Sequence, residues 1–587
     1  MKLARILLVS LVVLAIAQPA RSQSPGDRSF SWNNPVIYHV LTDRFENGDP
    51  TNDNAYGRGL DGSGNPYESG PESFFGGDLR GLTSRVNSGY LDSLGVNVIW
   101  ITAPYEQVHG FVSSADGRHQ AYPYHGYWPL DFTQIDANWG SEADFAAFVD
   151  ACHARGIRVL IDVVLNHPGY ATTVDMAEFD FGGLADSTDW HTWRPGPSES
   201  WADYQGRFVD FEGSDSTWID WWGPDWIRAG LPGYGGCGDD DQTTCLSYLP
   251  DFRTDSATPA TLPTFLSNKW TPDELQRERE SLDSFFARTK LGRTPRNHLI
   301  KWLTDWVRKY GVDGFRIDTA KHVELPAWSV LKNQAQAALR AYRADHPDAL
   351  NDARDFWMLG EVYGYNAVDP TPTEYFDNGF DALLNFGFTS IADASNAELD
   401  FTYGVMADAI TASDEFGIVS FVSNHDVGLM SRERLRDGAV RLMLAPGGVA
   451  IYYGDEIGRR ETTGLSDAGI ASRSPMDWSA ADKPMLEWWR MLGQFRQNHP
   501  ALASGEHELL SNEPYTFMRT LRRGTMEDVV VAVLGAEGRT RLHVAKAFPD
   551  DAIVRDAVSG ATAFVSFGYV TIQADPSGVI LLELSAR

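Results

Sequence analysis

Cysteine is scarce in this chain: Cys152, Cys237 and Cys245 are the three among 587 residues. So few exclude a fold held together by a disulfide framework. Cys237 and Cys245 bracket an Asp-rich loop and can pair in an oxidising compartment, whereas Cys152 lies on the apolar face of a helix and reads as a small core residue. Basic residues are also in short supply. Lys and Arg total 49 against 80 Asp and Glu, a net charge of −31, which excludes nucleic acid and anionic membranes as partners. Most of that charge reads as a solvated acidic surface. Long hydrophobic runs are missing beyond the N-terminus. The stretch Ile6 to Ala17 follows Lys2 and Arg5 and precedes small residues. About 12 apolar residues are too few to span a bilayer of roughly 30 Å. Residues 1–22 are therefore expected to be a signal peptide, cut after Ala17 or Ser22, leaving an exported, soluble protein in the periplasm or the medium. No phosphate-binding loop, dinucleotide fingerprint, solenoid repeat or low-complexity tract is present.

What is present is alternation. Apolar runs at Val36–Leu41, Val98–Ile101, Arg158–Val164, Gly314–Ile317, Trp357–Val362, Ala382–Phe386, Val419–Val422 and Val449–Tyr453 read as buried parallel strands. Between them lie amphipathic helices. Ser141 and Asp144 form a capping-box pattern before Phe145, Phe148, Val149 and Cys152, and Leu299, Trp302, Leu303, Trp306, Val307 and Tyr310 make a second stripe. Eight such units predict an α/β fold, a (β/α)8 barrel spanning 30–167 and 295–499, with its site at the C-terminal strand ends. Residues 168–294 are too many for a structureless loop and are expected to form an inserted domain after the third strand. From residue 500 to 587, short strand-like segments separated by turn residues predict an antiparallel β-sandwich.

Four segments place an acidic residue in or at the end of an apolar run: Leu160–His167, Gly314–Asp318, Trp357–Val362 and Ser420–Asp426. A carboxylate there is expensive to desolvate unless it is paired or used. Carboxyls with separated pKa values, one protonated and one ionised, are what glycosidic bond cleavage requires. The abundant Trp and Tyr residues suit stacking on sugar faces.

In sequence order, Tyr124–Trp128, Asp162–His167, Leu249–Phe252, Gly314–His322, Gly360–Val362, Ser423–Asp426 and Gly448–Glu456 resemble the motifs of the α-amylase family of glycoside hydrolases, over about Pro35 to Trp478. Within it, the chain looks most like exported bacterial α-amylases. The resemblance implies that Asp318 is the nucleophile, Glu361 the general acid and base, and Asp426 a stabiliser of the transition state. It implies that Arg316 keeps Asp318 ionised, that His167 and His425 bind sugar hydroxyls, and that Tyr127 stacks under the same sugar. Lys321 and His322 would line the leaving-group side. The implied activity is a retaining, endo-acting hydrolysis of α-1,4-glucosidic bonds in starch and maltooligosaccharides by a monomer. An α-glucosidase, or a maltooligosaccharide-forming or transglycosylating enzyme, would keep the same core residues, and a non-catalytic carbohydrate-binding barrel is the reading from outside that class. The resemblance further implies a calcium ion shared by Asn166, Asp251 and the main-chain carbonyl of His322. A second calcium loop is suggested by Asn47, Asp49, Asn52 and Asp53 followed by Gly76 and Asp78, against the alternative of an ordinary Asx-rich turn.

Overall fold

The computed structural model describes residues 30–67, 70–185, 189–211, 217–347, 354–413 and 416–585. The signal peptide expected over 1–22 lies outside the described residues. Eight strands close a barrel: β1 (Val36–Val40), β2 (Val98–Ile101), β3 (Arg158–Val163), β4 (Gly314–Ile317), β5 (Trp357–Gly360), β6 (Ala382–Asn385), β7 (Ile418–Ser420) and β8 (Gly448–Tyr452). Each pairs in parallel with its neighbour in sequence, and β8 pairs with β1. All eight are buried along their whole length, which is why they read as continuous apolar runs rather than alternating ones. In the register of β4 on β3, Arg316 lies directly opposite Asp162.

The helices follow from their ends and their stripes. Helix α1 (Glu142–Ala154) starts at Ser141, whose side chain accepts from the Asp144 N–H while Asp144 reaches back to the Ser141 N–H, and it buries Phe145, Phe148, Val149 and Cys152. Helix α2 (Pro272–Thr289) opens with the same device from Thr271 and Glu274. It falls inside the span 168–294 expected to form the inserted domain. Its run of charged residues leaves an apolar stripe only near its C-terminal end, at Leu282, Phe285 and Phe286. Helix α3 (Pro295–Tyr310) begins on proline and ends at Gly311, whose φ of 73° supplies the left-handed turn.

Between β3 and α3 the chain leaves the barrel as several short helices, a two-stranded ribbon of Ile227–Ala229 with Asp251–Phe252, and then α2. Aromatic rings hold this insert. Trp222 meets Phe252 edge-on at 4.9 Å, and Trp226 stacks on Trp302 of α3 at 5.6 Å, docking the insert on the barrel. Cys237 and Cys245 are joined, and Cys152 is buried. After helix α4 (Lys483–Asn498), a six-stranded antiparallel sheet and a two-stranded one enclose a second apolar core around Val531, Leu542, Val570 and Ile580. His499 clasps the two parts together: Nδ1 lies 2.9 Å from Asp528 Oδ1, and Nε2 lies 2.7 Å from Glu583 Oε2.

Candidate active site

The C-terminal ends of β3, β4 and β5 converge on one guanidinium. Arg316 Nη1 donates to Asp162 Oδ1 at 2.8 Å and to Asp318 Oδ1 at 2.9 Å, while Nη2 lies 3.0 Å from Glu361 Oε2. Arg316 is 1 % exposed, and its three partners are 0 %, 7 % and 5 % exposed. Such charges survive burial only because each is paired. The backbone sets the positions. The Asp318 N–H bonds the Val163 carbonyl at 2.9 Å, and the Glu361 N–H bonds the Ile317 carbonyl at 3.0 Å, so each acid leaves its strand one residue beyond the preceding one's pairing. Thr319 then adopts φ 50°, a left-handed conformation unusual for a β-branched residue, and turns its N–H onto Glu361 Oε2 at 2.9 Å.

Around this ring the other expected residues fall into place. The Tyr127 hydroxyl donates to Asp162 Oδ2 at 2.8 Å and sits 2.7 Å from His425 Nε2, with the two rings nearly parallel. His425 Nε2 is 3.3 Å from Asp426 Oδ2, and His167 Nε2 donates to the Tyr127 carbonyl at 3.1 Å. Asp318, Glu361, Asp426, Tyr127, His167 and His425 all line one cleft of about 1360 Å³. Lys321 and His322 lie to one side, against a loop of the insert. Lys321 Nζ is 3.3 Å from Asp241 Oδ1, and His322 Nδ1 donates to the Asp241 carbonyl.

Burial pushes the Asp318 carboxyl well above the usual carboxylate range, and the Glu361 charge beside it adds to the push against the pull of Arg316. Burial raises Glu361 as well, with Arg316 opposing. Two carboxyls so placed hold one proton between them more readily than none. The histidines respond the other way. Burial, with the Arg473 and Arg316 cations, holds His425 well below its ordinary value, and burial takes His167 down to about 4. Both are neutral at pH 7, and His167 Nδ1 lies 3.3 Å from the Asn166 amide nitrogen.

Several functional residues escaped the sequence. Asp162 was visible in its motif, but its place in the ring was not. Trp100 donates from Nε1 to Asp162 Oδ2 at 3.1 Å and carries the His39 ring stacked at 3.6 Å. Arg473 donates from Nε to the His425 carbonyl at 2.9 Å and from Nη2 to Asp426 Oδ1 at 3.4 Å. A tryptophan inside an apolar run gives no signal beyond core, and Arg473 lies in an irregular stretch without periodicity.

The expected calcium ligands separate into two cases. Asn166 and Asp251 are neighbours, since the Phe252 N–H bonds the Asn166 carbonyl at 2.9 Å. Arg228 holds Asp251 Oδ2 at 2.7 Å, but Asp251 Oδ1 is buried without a partner. Glu324 Oε2, two residues beyond His322, is likewise buried without a partner, and its charge is close enough to push Asp251 up beyond the larger effect of burial. Two orphaned carboxylate oxygens beside a buried amide fit a hard cation. Among the described residues no three acidic, histidine or cysteine side chains gather closely enough to hold an ion alone, so amide and carbonyl oxygens would complete such a set. In the N-terminal loop, Asn47 Nδ2 donates to Asp53 Oδ1 at 2.8 Å, and Gly76 packs so closely on both side chains that a Cβ there would clash. Asp49 is taken by Thr51 and Arg80, and Asp78 by the N–H groups of Gly48, Asp49 and Gly81, while Asn52 Oδ1 lacks a partner.

Comparison with known proteins places this geometry. The sequence profile of the α-amylase family, described as the alpha-amylase catalytic domain, matches residues 39–220 and 264–487. A periplasmic alpha-amylase of Escherichia coli (strain K12) is 42% identical over 517 residues, covering 85% of this chain and 72% of that protein. A cyclomaltodextrin glucanotransferase of Thermoanaerobacterium thermosulfurigenes is 24% identical over 534 residues, and the chain spans 63% of its length. The crystal structure of an alpha-amylase from Geobacillus thermoleovorans in complex with acarbose shares the fold with a TM-score of 0.63 at 20% identity, over 95% of this chain and 100% of that one.

Proposed function

This chain belongs to the α-amylase family, and from that premise we propose that it is a retaining, endo-acting α-amylase that hydrolyses internal α-1,4-glucosidic bonds of starch and maltooligosaccharides. The observation that carries this is the single guanidinium of Arg316 joining Asp162, Asp318 and Glu361 in an open cleft. With the proton that the pair shares on Glu361, Asp318 is ionised against Arg316; it attacks the anomeric carbon and forms the glycosyl ester, while Glu361 gives that proton to the departing glycosidic oxygen. Glu361, now a carboxylate, takes a proton from water. The water oxygen bonds the anomeric carbon as the ester bond to Asp318 breaks, and two inversions retain the α configuration. The Asp426 carboxylate, steadied by Arg473, accepts sugar hydroxyls as positive charge develops on the ring. Neutral His167 and His425 frame the sugar site together with Tyr127, to which both are hydrogen-bonded.

We place one calcium ion at Asn166, Asp251, Glu324 and the main-chain carbonyl of His322. There it would tie the insert to the barrel rather than take part in the chemistry. The orphaned oxygens of Asp251 and Glu324 support this. The relative named as periplasmic supports export to the periplasm or the medium.

The test is a chromatographic product profile from soluble starch and maltoheptaose, with Asp318→Asn as control. Mixed oligosaccharides of α configuration, appearing early and only with the unaltered enzyme, are expected. Glucose as the sole product would move the assignment to an α-glucosidase. No turnover of any α-glucan would refute it.

A further inference from the structure

The family match breaks off between residues 221 and 263, and the Cys237–Cys245 disulfide lies in that gap. The loop it closes is internally ordered. The Gly238 N–H bonds the Thr243 carbonyl at 2.8 Å, the Thr244 N–H bonds the Asp240 carbonyl at 3.0 Å, and the Asp240 side chain accepts from the Gln242 N–H at 3.0 Å. It is tied outward at two points. Arg228 bonds the Gln242 carbonyl while holding Asp251 at the root of the insert, and Asp241 faces Lys321 and His322, just after the nucleophile. At its two ends, Cys237 and the residues after Cys245 form part of the cleft that holds Asp318 and Glu361. The staple therefore joins the wall of the cleft to two side chains on the barrel.

The contacts have chemical content. A carbonyl can only accept, so the bond from His322 Nδ1 to the Asp241 carbonyl fixes the proton on Nδ1 and leaves Nε2 as a lone-pair acceptor. Asp241 Oδ1 also restrains the Lys321 ammonium, which is otherwise a mobile donor on a flexible stem. One donor and one acceptor, held in place three and four residues after the nucleophile, make a recognition pair for sugar hydroxyls on that side of the cleft. We propose that the Cys237–Cys245 loop, through Asp241, is a positioning element for the leaving-group side of the cleft, setting the enzyme's preference for substrates with sugars beyond the scissile bond. This rests on the amylase function proposed above.

Two substrates separate this role from general support of the fold. Maltoheptaose places sugars on the leaving side, whereas 2-chloro-4-nitrophenyl α-maltotrioside can be cleaved with only its aryl group there. In the Cys237→Ser/Cys245→Ser enzyme, KM for maltoheptaose is expected to rise about tenfold with kcat kept, the effect of losing one hydrogen bond to a sugar. Asp241→Asn loses only an exposed ion pair and is expected to raise it about threefold. Cleavage of the aryl glycoside should stay at the unaltered rate in both. If the double variant does not fold, Asp241→Asn decides alone. A parallel fall on both substrates, or no change on either, overturns the proposal. An unaltered enzyme that cleaves neither substrate refutes the amylase function and this proposal with it.

Discussion

Replacing Arg316 by Met tests the centre of the site most directly. Among the described contacts Arg316 is the sole side-chain or main-chain donor to the Asp318 carboxylate, at 2.9 Å. Asp162 keeps bonds from Trp100 and Tyr127, and Glu361 keeps the Thr319 N–H. The loss therefore falls mainly on Asp318. Breaking a buried ion pair by removing one partner costs about 3–5 kcal/mol. At about 1.4 kcal/mol per pKa unit, that raises the Asp318 pKa by about 2 units or more. The nucleophile works only when ionised, so activity is present above its pKa and lost below it. Raising that pKa moves the acid limb of the kcat/KM profile to higher pH by about 2 units, and below the new limb the rate falls about tenfold per unit. Arg316→Lys keeps a charge but not the fork, and its limb should lie between the two. The assay is initial rate on a maltooligosaccharide across pH, with circular dichroism confirming the fold. An Arg316→Met profile whose acid limb coincides with that of the unaltered enzyme would show that Arg316 does not set the ionisation of Asp318.

Glu361→Gln should fold and still bind maltooligosaccharide while losing on the order of 10²–10⁴-fold in hydrolysis, because it keeps the shape but has no proton to give; near-normal turnover of starch sinks its assignment as general acid. Calcium removal should lower the melting temperature, by an amount equivalent to about 2.7 kcal/mol at a hundredfold excess of ion over its Kd, and Glu324→Gln should weaken calcium binding in titration calorimetry. An unchanged melting temperature after verified removal refutes a structural ion. His499 is opposed by burial, but its bonds to Asp528 and Glu583 carry its pKa from 6.5 up to about 9. The stability it adds is full below pH 6.5 and is lost as pH rises through about 9, amounting to at most about 3 kcal/mol. His499→Gln should melt lower at pH 6 and level with the unaltered protein at pH 10. A gap that persists at pH 10 would mean that the charge is not its cause.

The barrel was legible because its strands are buried on both faces. Apolar runs such as Val98–Ile101 and Gly314–Ile317 stand out whole, and the ends of α1 are written in Ser141 and Asp144. The insert was legible only as an interruption. Its order comes from rings meeting across sequence, as Trp226 does on Trp302, and such contacts leave no periodic trace. Helix α2 was hidden by its own charges. The acids of the site were visible because a carboxylate ending an apolar run is costly. Arg473 and Glu324 were not, because each gains its place only through a neighbour brought in by the fold, Asp426 for one and Asp251 for the other.

The pairing of Arg316 with Asp162 also bears on how the barrel assembles. A parallel strand that is apolar on both faces loses little hydrophobic burial if it slips by one residue, so its sequence alone specifies its alignment weakly. Arg316 and Asp162 are opposite one another in the hydrogen-bonded ladder itself. A slip of β4 along β3 would part them and strand both charges in the barrel interior, a cost far above that of mismatched methyl groups. The polar ring would thus act as an indexing pin, admitting one alignment of strands that oily side chains would let slide. A variant with the ring erased should not only lose catalysis but also reach its folded state with more misaligned chains along the way.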